Sequence, residues 1–436
     1  MALGGGTFLT QNKILPGSYI NFISLAKAQA ALSDRGYAAM GLELDWGPEN
    51  EIFTVTNADF QKESMKIFGY DYTSDKLKGL RDLFINLKTL YAYRLNSGGT
   101  KAANTFASAK YGGVGGNSLK TVIQVNADDD SMFDVTLYMG DAAVDKQTVK
   151  ASAELKDNDY VTWKTDAVLS ATSGEALTGG TNGTVNGASH QAFLDKAESY
   201  SFNVLGCLST EDTIKSLYTA YTKRMRDEIG AKFQLVVYQK AADYEGVINV
   251  KNGVTGETAF PLSALVYWVT GAEASCNVNA SLLNRKYDGE FTVDTEGTQA
   301  QLEASIKAGE FRFHKVGTDV RVLSDINSLV TVTDTKGDIF KENQTIRVCD
   351  QIANDIANIF NTRFLGIVPN DEAGRISLWN EIVKHHEQLE EIRAIENFSE
   401  DDVTVEQGDV KRAVVVYDRV TVVNAMAQLY MTVEIS

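Results

Sequence analysis

Two adjacent histidines, His385 and His386, are the densest candidate chemistry in this 436-residue sequence. On a helix they project about 100° apart, so each needs a partner one turn away. Glu381 with His385, or His386 with Glu390, could share a face and hold a cation; a packed or solvated helix histidine is the competing reading, and the H-E-x-x-H spacing of a zinc protease is absent. The remaining histidines are His190 and His314. Gly112-Gly113-Val114-Gly115-Gly116-Asn117 has the glycine content of a phosphate loop without its Gly-Lys-Ser/Thr ending, and a strand rather than a helix follows, so we read it as a turn-rich entry into a β module. Gly179-Gly180 to Gly183 reads as a tight connection rather than a ligand loop. Asp128-Asp129-Asp130 could attract Ca²⁺, but the rest of an EF-hand loop is missing and a solvated turn is the simpler reading. Neither a Gly-x-Ser-x-Gly elbow nor a cysteine with an obvious partner is present. No catalytic residue, cofactor site or metal-ligand set emerges.

Composition narrows the class. The length implies about two to four domains, and 44% hydrophobic with 23% charged residues is ordinary for a soluble globular chain. A formal charge of −17 argues against nucleic acid and anionic membrane surfaces, which both require clustered Lys and Arg. Cys207, Cys276 and Cys349 are distant from one another and match no zinc spacing, so buried free thiols in a reducing compartment are expected. The Gly-rich start is not a signal peptide, and no apolar run approaches the ~20 residues of a membrane helix. The expectation is a chain made in the cytoplasm that stays soluble, without direct membrane insertion.

The elements that must position these residues alternate along the chain. A glycine lead precedes Tyr19 to Ile23, an aromatic, β-branched strand pattern. Strands at Ala38 to Leu44, Ile52 to Thr56 and Thr89 to Arg94 enclose two helices, one capped by Asn57 or Asp59 and one over Ser74 to Asn86. Between 97 and 185 helical periodicity vanishes and short alternating runs appear, a small all-β module. Helix–strand alternation returns: a helix from Gln191, a strand to Cys207, a long helix over Ile214 to Ile229, buried strands at Lys232 to Tyr238 and Gly246 to Val250, a helix opened by Pro261, and a hairpin around Gly317. Two amphipathic helices follow within 341–395; the second places Ile376, Trp379, Val383, His386, Leu389 and Ile392 on one face. The tail is strand-rich and closes on Gln428 to Ile435, where Leu429, Met431, Val433 and Ile435 alternate with Tyr430, Thr432 and Glu434. The expected architecture is α/β (α+β) and multidomain: an N-terminal arm at 1–26, a small α/β domain at 27–96, an inserted all-β module at 97–185, a mixed-sheet core domain flanked by helices at 186–340, and a helix pair with a β-rich end at 341–436.

With the ends and glycine junctions laid out, the chain resembles the contractile tail sheath proteins of phages and phage-derived bacteriocin particles. The stretches that carry the likeness are Gly4-Gly5-Gly6-Thr7-Phe8 with Leu15-Pro16-Gly17-Ser18-Tyr19-Ile20-Asn21-Phe22, Leu42-Glu43-Leu44-Asp45-Trp46-Gly47-Pro48, Ala109-Lys110-Tyr111-Gly112-Gly113 with Gly116-Asn117, Leu177-Thr178-Gly179-Gly180, and Val423-Asn424-Ala425-Met426 with Leu429-Tyr430-Met431-Thr432-Val433. Ile376 to His386 fits the myovirus-like sheaths of Gram-positive hosts. The resemblance implies a virion or particle component, assembled in the host bacterial cytoplasm, whose copies stack around an inner tail tube between baseplate and tail-terminator proteins. It implies no cofactor and no nucleic-acid partner.

It also implies that terminal arms enter a sheet shared with neighbouring copies. Tyr19, Ile20, Asn21, Phe22 and Ile23 would form the N-terminal arm, and Leu429, Tyr430, Met431, Thr432, Val433 and Ile435 the C-terminal one. Gly17, Asn424 and Ala425 are the candidate hinges. Lys223, Arg224 and Arg226 are the candidate tube contact, against a solvated helix face. Two other readings stand beside this one: a carbohydrate-active or peptidoglycan-cleaving hydrolase, for which no local motif speaks, and a tube or baseplate component of the same machine.

Overall fold

The computed structural model describes residues 32–435. The first three strands, β1 (Tyr37–Leu42), β2 (Ile52–Thr56) and β3 (Thr89–Arg94), flank α1 (Asn57–Phe68) and α2 (Lys78–Phe84). Thr56 caps α1, accepting from the Asp59 N–H while the Asp59 carboxylate closes the capping box. The module then runs through β4 (Lys101–Ala103), β5 (Ala107–Gly112), β6 (Leu119–Val125), β7 (Phe133–Met139), β8 (Ala142–Val149), β9 (Val161–Trp163) and β10 (Thr172–Ala176). Its sheets, β10-β6-β7-β8 and β4-β5-β9, are antiparallel and enclose a core around Leu119, Leu137, Val161 and Trp163.

The chain then returns to the first sheet through α3 (Gly187–Ala197), β11 (Val204–Cys207), α4 (Asp212–Arg224), β12 (Gln234–Tyr238) and β13 (Val247–Val250). A short ladder of β14 (Val254–Thr255) and β15 (Thr292–Val293), α5 (Leu265–Ser275), α6 (Gln299–Lys307), β16 (Glu310–Phe311) and the hairpin β17 (Phe313–Val316) and β18 (Asp319–Val322) follow. The central sheet has the order β16-β13-β12-β11-β1-β3-β2, parallel except for β2. Segments 27–96 and 186–340, expected as separate units, therefore share one sheet: Ala38 pairs with Val204 on one side and Leu90 on the other. The sheet is covered on both faces. Met40, Val236 and Ile248 pack with α2 and α5, while Leu205, Leu235 and Val237 pack with α3 and α4. Burial on both sides explains why these strands read as continuous apolar runs.

The last part carries α7 (Asn343–Ile359), α8 (Glu372–Glu391), β19 (Ile395–Glu396), β20 (Val403–Gln407), β21 (Val414–Asp418) and β22 (Thr421–Val422). β20 pairs with β21 and β19 with β22. The face expected on α8 is partly wrong: Ile376 is exposed, whereas Leu378 and Ile382 join Val383 and Leu389 inside.

Buried charges join α7 to the central sheet. Arg347 donates to Glu273 Oε2 at 2.5 Å and to Asp325 Oδ2 at 2.7 Å. Asn343 Nδ2 donates to Asp325 Oδ1 at 2.9 Å, and Arg35 Nε donates to the Cys276 carbonyl at 2.9 Å. Burial alone would raise the Asp325 carboxyl, but Arg347 and its hydrogen bonds outweigh this and hold it at about 2. Burial, with the Asp325 charge beside it, lifts Glu273 well above the carboxylate range. The cluster thus pushes its two carboxyls in opposite directions, Asp325 toward the charged form and Glu273 toward the neutral one.

A depressed acid stabilises the fold above its unfolded value and loses that contribution as pH falls through its folded value. Asp325 should therefore cost the fold about 2–3 kcal/mol as pH drops from about 4 to about 2. Asp325→Asn should flatten that part of a urea-midpoint profile. Arg347→Met, which strands a buried carboxylate, should lose about 3–5 kcal/mol at neutral pH.

Candidate functional site

Residues near both ends of the described chain are bonded to α7. Its stripe of buried side chains is not all apolar: Gln344, Thr345, Gln351 and Asp355 lie among Ile346, Val348 and Ile359. Gln344 Nε2 donates to the Val423 carbonyl at 3.0 Å, and its Oε1 accepts from the Ala425 N–H at 2.9 Å. The amide thus pairs with the backbone as a neighbouring strand would. Thr345 Oγ1 donates to Asn424 Oδ1 at 3.2 Å. Two turns further along, Gln351 Nε2 donates to Ser33 Oγ at 2.7 Å, and the Ser33 N–H donates to Asp355 Oδ2 at 3.3 Å. Asn424 and Ala425, the C-terminal hinge candidates, are therefore tied down, and the free chain begins after them.

Beyond Ala425 the segment lies in no strand and no helix. Leu429 is 86% and Ile435 93% exposed, and Tyr430, Met431 and Val433 are exposed as well. Thr432 is exposed too. The strand expected over Gln428 to Ile435 is not formed within the single chain, because no strand of the described residues pairs with it. Tyr19 to Ile23 and Gly17 lie outside the described residues.

A matching vacancy lies on the same unit. β21 has β20 as its one partner strand among the described residues. Beside it runs an apolar trough of about 550 Å³, lined by Ile352, Ile356 and Phe360 of the α7 side, Ile382 of α8, and Val414 and Val416 of β21. Each strand edge presents N–H and C=O groups with the spacing a further strand would need.

The two histidines sit behind this trough. His385 Nδ1 faces His386 Nδ1 at 3.1 Å, His385 Nε2 meets Asp355 Oδ2 at 3.0 Å, and His386 Nε2 meets Asp418 Oδ2 at 2.8 Å. Both rings are fully buried. Their expected cation partners are occupied elsewhere: Glu381 pairs with Arg363 at 2.5 Å, and Glu390 accepts from the Phe398 N–H at 3.0 Å. The pair is packed inside as part of a polar row that runs from Ser33 through α7 and α8 to β21. Burial raises the Asp355 carboxyl, but the hydrogen bonds from His385, Ser33 and Gln351 prevail and hold it below its usual range.

The basic cluster on α4 divides. After Arg224 the helix widens into a π-turn, Met225–Ile229. Arg226 is buried there: its Nη1 and Nη2 donate to the Asp350 carboxylate at 2.6 and 2.8 Å, and Nη1 also reaches the Phe233 carbonyl at 2.6 Å. Arg226 belongs to the α7 joint and cannot be a tube contact. Arg224 pairs with Glu198, and Lys223 Nζ lies 5.1 Å from the centre of the Tyr244 ring.

Comparison with known proteins places this architecture. Residues 35–95 match the tail sheath protein Gp18 domain III N-terminal region, 97–182 the phage tail sheath protein beta-sandwich domain, 183–328 the phage tail sheath protein central domain and 335–436 the phage tail sheath C-terminal domain. The phage-like element PBSX protein XkdK of Bacillus subtilis is 32% identical over 100% of both chains. The chain belongs to the phage tail sheath protein family. The sheath tail protein of Desulfitobacterium hafniense, solved as a crystal structure, is 36% identical with a TM-score of 0.83 over 95% of this chain and 99% of that one. The Listeria innocua sheath tail protein is 32% identical with a TM-score of 0.78 over 90% and 93%. The anti-feeding prophage helical sheath in its contracted state shares the fold at 13% identity, with a TM-score of 0.56 over 97% and 99%. The protein is thus a structural component of a phage or phage-like tail sheath.

Sequence reasoning missed the α7 groups that hold Ser33 and residues 423–425. The signal was available: Gln344, Gln351 and Asp355 are polar residues at helical spacing on the buried stripe of an amphipathic helix, where a polar side chain needs a partner. Gln344→Ala should leave the subunit folded with a loss of about 1–2 kcal/mol, and release residues 423–425 from α7. Amide exchange at Ala425 should accelerate sharply while exchange in β12 stays slow.

Proposed function

We propose that this sheath subunit polymerises by strand exchange and that its sheath contracts to drive an inner tube through a cell envelope. The observation that carries the reading is the pairing of an uncovered strand pattern with an uncovered strand edge. Leu429, Met431, Val433 and Ile435, spaced to share one face of a strand, are exposed with no described residue covering them, and β21 offers backbone groups beside an apolar trough. The C-terminal segment of a second copy would add to β21, in the manner of β-augmentation. Tyr19 to Ile23 would act in the same way at a further edge. A head-to-tail contact of this kind does not close on itself and so builds rings of rings or a helix.

Backbone ladders tolerate rigid-body rotation of the bodies they join, provided the linking residues bend. The free chain after Ala425 supplies that bend on one side, and Gly17 on the other. Contraction would then be a downhill passage between two packings, held back kinetically until a baseplate releases it. No nucleotide enters and no catalytic step is required, which suits the absence of a phosphate-loop ending in Gly112 to Asn117. The partners on this reading are other copies, the tube, the baseplate and the tail terminator, with assembly in the host cytoplasm. Lys223 and Arg224 remain the tube-contact candidates.

Deletion of residues 427–435 should yield a soluble subunit with an unchanged urea midpoint that builds no tubes under negative-stain electron microscopy. Deletion of 1–23 should do the same. Normal tubes from either truncation would sink the arm mechanism.

A further inference from the structure

The trough beside β21 has two unlike ends. At one end Asp418 borders it and no basic side chain does; Arg419, next in the chain, does not line it. Toward the other end it passes Phe360, Leu378 and Val414 and opens into a second hollow of about 470 Å³. That hollow has Phe364 and Val368 on its apolar wall, with Arg375, Lys411 and Arg412 as its charged lining and no acidic side chain among them. Lys411 and Arg412 are exposed and form no ion pair among the described residues. Arg375 Nη1 spends itself on Asn370, at 3.3 Å to the carbonyl and 3.2 Å to Oδ1.

The visiting segment is polar in the same sense. Its single charge, Glu434, lies near its far end, and its apolar face from Leu429 to Ile435 outruns β21, which has five residues. The overhang needs apolar ground beyond β21. The second hollow provides it past Val414, whereas at the other end the Asp418 carboxylate is held by His386.

Resting on the strand-exchange reading above, we propose that the C-terminal segment of a second copy runs antiparallel to β21, with Glu434 delivered to Arg375, Lys411 and Arg412. Side-chain alternation restricts the register to even shifts, since a slip of one residue would turn the apolar face away from the trough. The register that fills both hollows sets Val433 against Val414, Met431 against Val416 and Leu429 against Asp418, with Glu434 and Ile435 over the basic hollow. In the parallel register that keeps Met431 against Val416, Val433 would meet Asp418, Glu434 would pass opposite Arg419 and Leu429 would stop at Val414, leaving the hollow and its three cations unfilled.

Cysteine pairs in the full chain test this, in a Cys349→Ser background; Cys207 and Cys276 are buried. Opposed residues on paired strands sit about 5 Å apart, while the far end of β21 is about 13 Å away, beyond the ~7 Å reach of a disulfide. Val416→Cys with Met431→Cys joins copies under either polarity. Val414→Cys with Val433→Cys joins them only if antiparallel, and Val414→Cys with Leu429→Cys only if parallel. Oxidised assemblies should give multimer ladders on non-reducing gels for the first and second pairs and monomer for the third. Ladders from the first and third, or from the first alone, would overturn the antiparallel register while leaving strand exchange intact. Monomer from all three, and from Val416→Cys with either Leu429→Cys or Val433→Cys, would overturn strand exchange at β21 itself. Glu434→Lys should abolish tubes, and adding Lys411→Glu with Arg412→Glu should restore them; full tube yield from Glu434→Lys alone would exclude the basic hollow as its receptor.

Discussion

Arg347 is the constraint on which the rest of the molecule depends. It is fully buried, and its guanidinium is held by Glu273 from α5 and by the Asp325 carboxylate from the segment after β18. Removing either side leaves an unpaired charge in a dry interior, which no relaxation of packing offsets. Arg226 and Asp350 repeat the device one turn further along α7. A helix tethered twice in this way cannot slide or swing against the central sheet without exposing charges that have lost their partners. The C-terminal unit and the sheet therefore move together. Ser33 and Val423 to Ala425 are bonded to that same helix and move with it.

The β module is fixed by a different means, close backbone contact. A Cβ on Gly99 would lie 1.8 Å from the Thr181 carbonyl oxygen, and one on Gly183 would lie 1.9 Å from that of Ser97, so the two strands that lead into and out of the module cross with only glycine allowed. Arg94 sits at the crossing with Nη1 on the Gly112 carbonyl at 2.6 Å, and Asn182 donates to Asp45 at 2.8 Å. Trp46, from the loop after β1, is buried in the module's own core. The glycine-rich stretches that suggested ligand loops are thus the joints of a rigid attachment. The Asp45 backbone carbonyl accepts the Gly115 N–H at 2.9 Å, so this donor is spent on the chain itself.

What the sequence disclosed and what it hid divide along the range of the interactions. Strands such as Ile52–Thr56 and Thr89–Arg94, and the hairpin around Gly317, are written in local alternation and turn chemistry, and they were legible. The union of 27–96 with 186–340 was not, because parallel pairing of β1 with β11 spans an entire inserted module and leaves no local mark. Arg226 looked like one of three surface cations because helical periodicity was extended through Ile229. The π-turn breaks that periodicity, and the partner Asp350 lies in a different helix. The same limit applied to His385 and His386, whose nearest acids in sequence are on their own helix but whose bonded acids, Asp355 and Asp418, come from α7 and β21. Ile376 was assigned inward on a single stripe, but α8 buries two adjacent stripes between α7 and β20, and Ile376 falls outside both.

An isolated chain with these features carries an unresolved expense. Soluble proteins protect exposed strand edges with lysine, proline, a bulge or a covering element. The sequence of β21, Val-Val-Val-Tyr-Asp, has none of the side-chain guards, its pairing with β20 is regular, and it lies beside an apolar trough rather than under a helix. The segment after Ala425 likewise alternates large apolar residues with polar ones, although no surface among the described residues receives them. On the strand-exchange reading these are the two halves of one contact between copies, and they would cause uncontrolled association in a neutral chain. The charge of −17 opposes that by mutual repulsion, so pairing is favoured where other contacts already hold copies in order. On that reading the acidic balance has a positive role: it makes an unguarded edge tolerable before assembly.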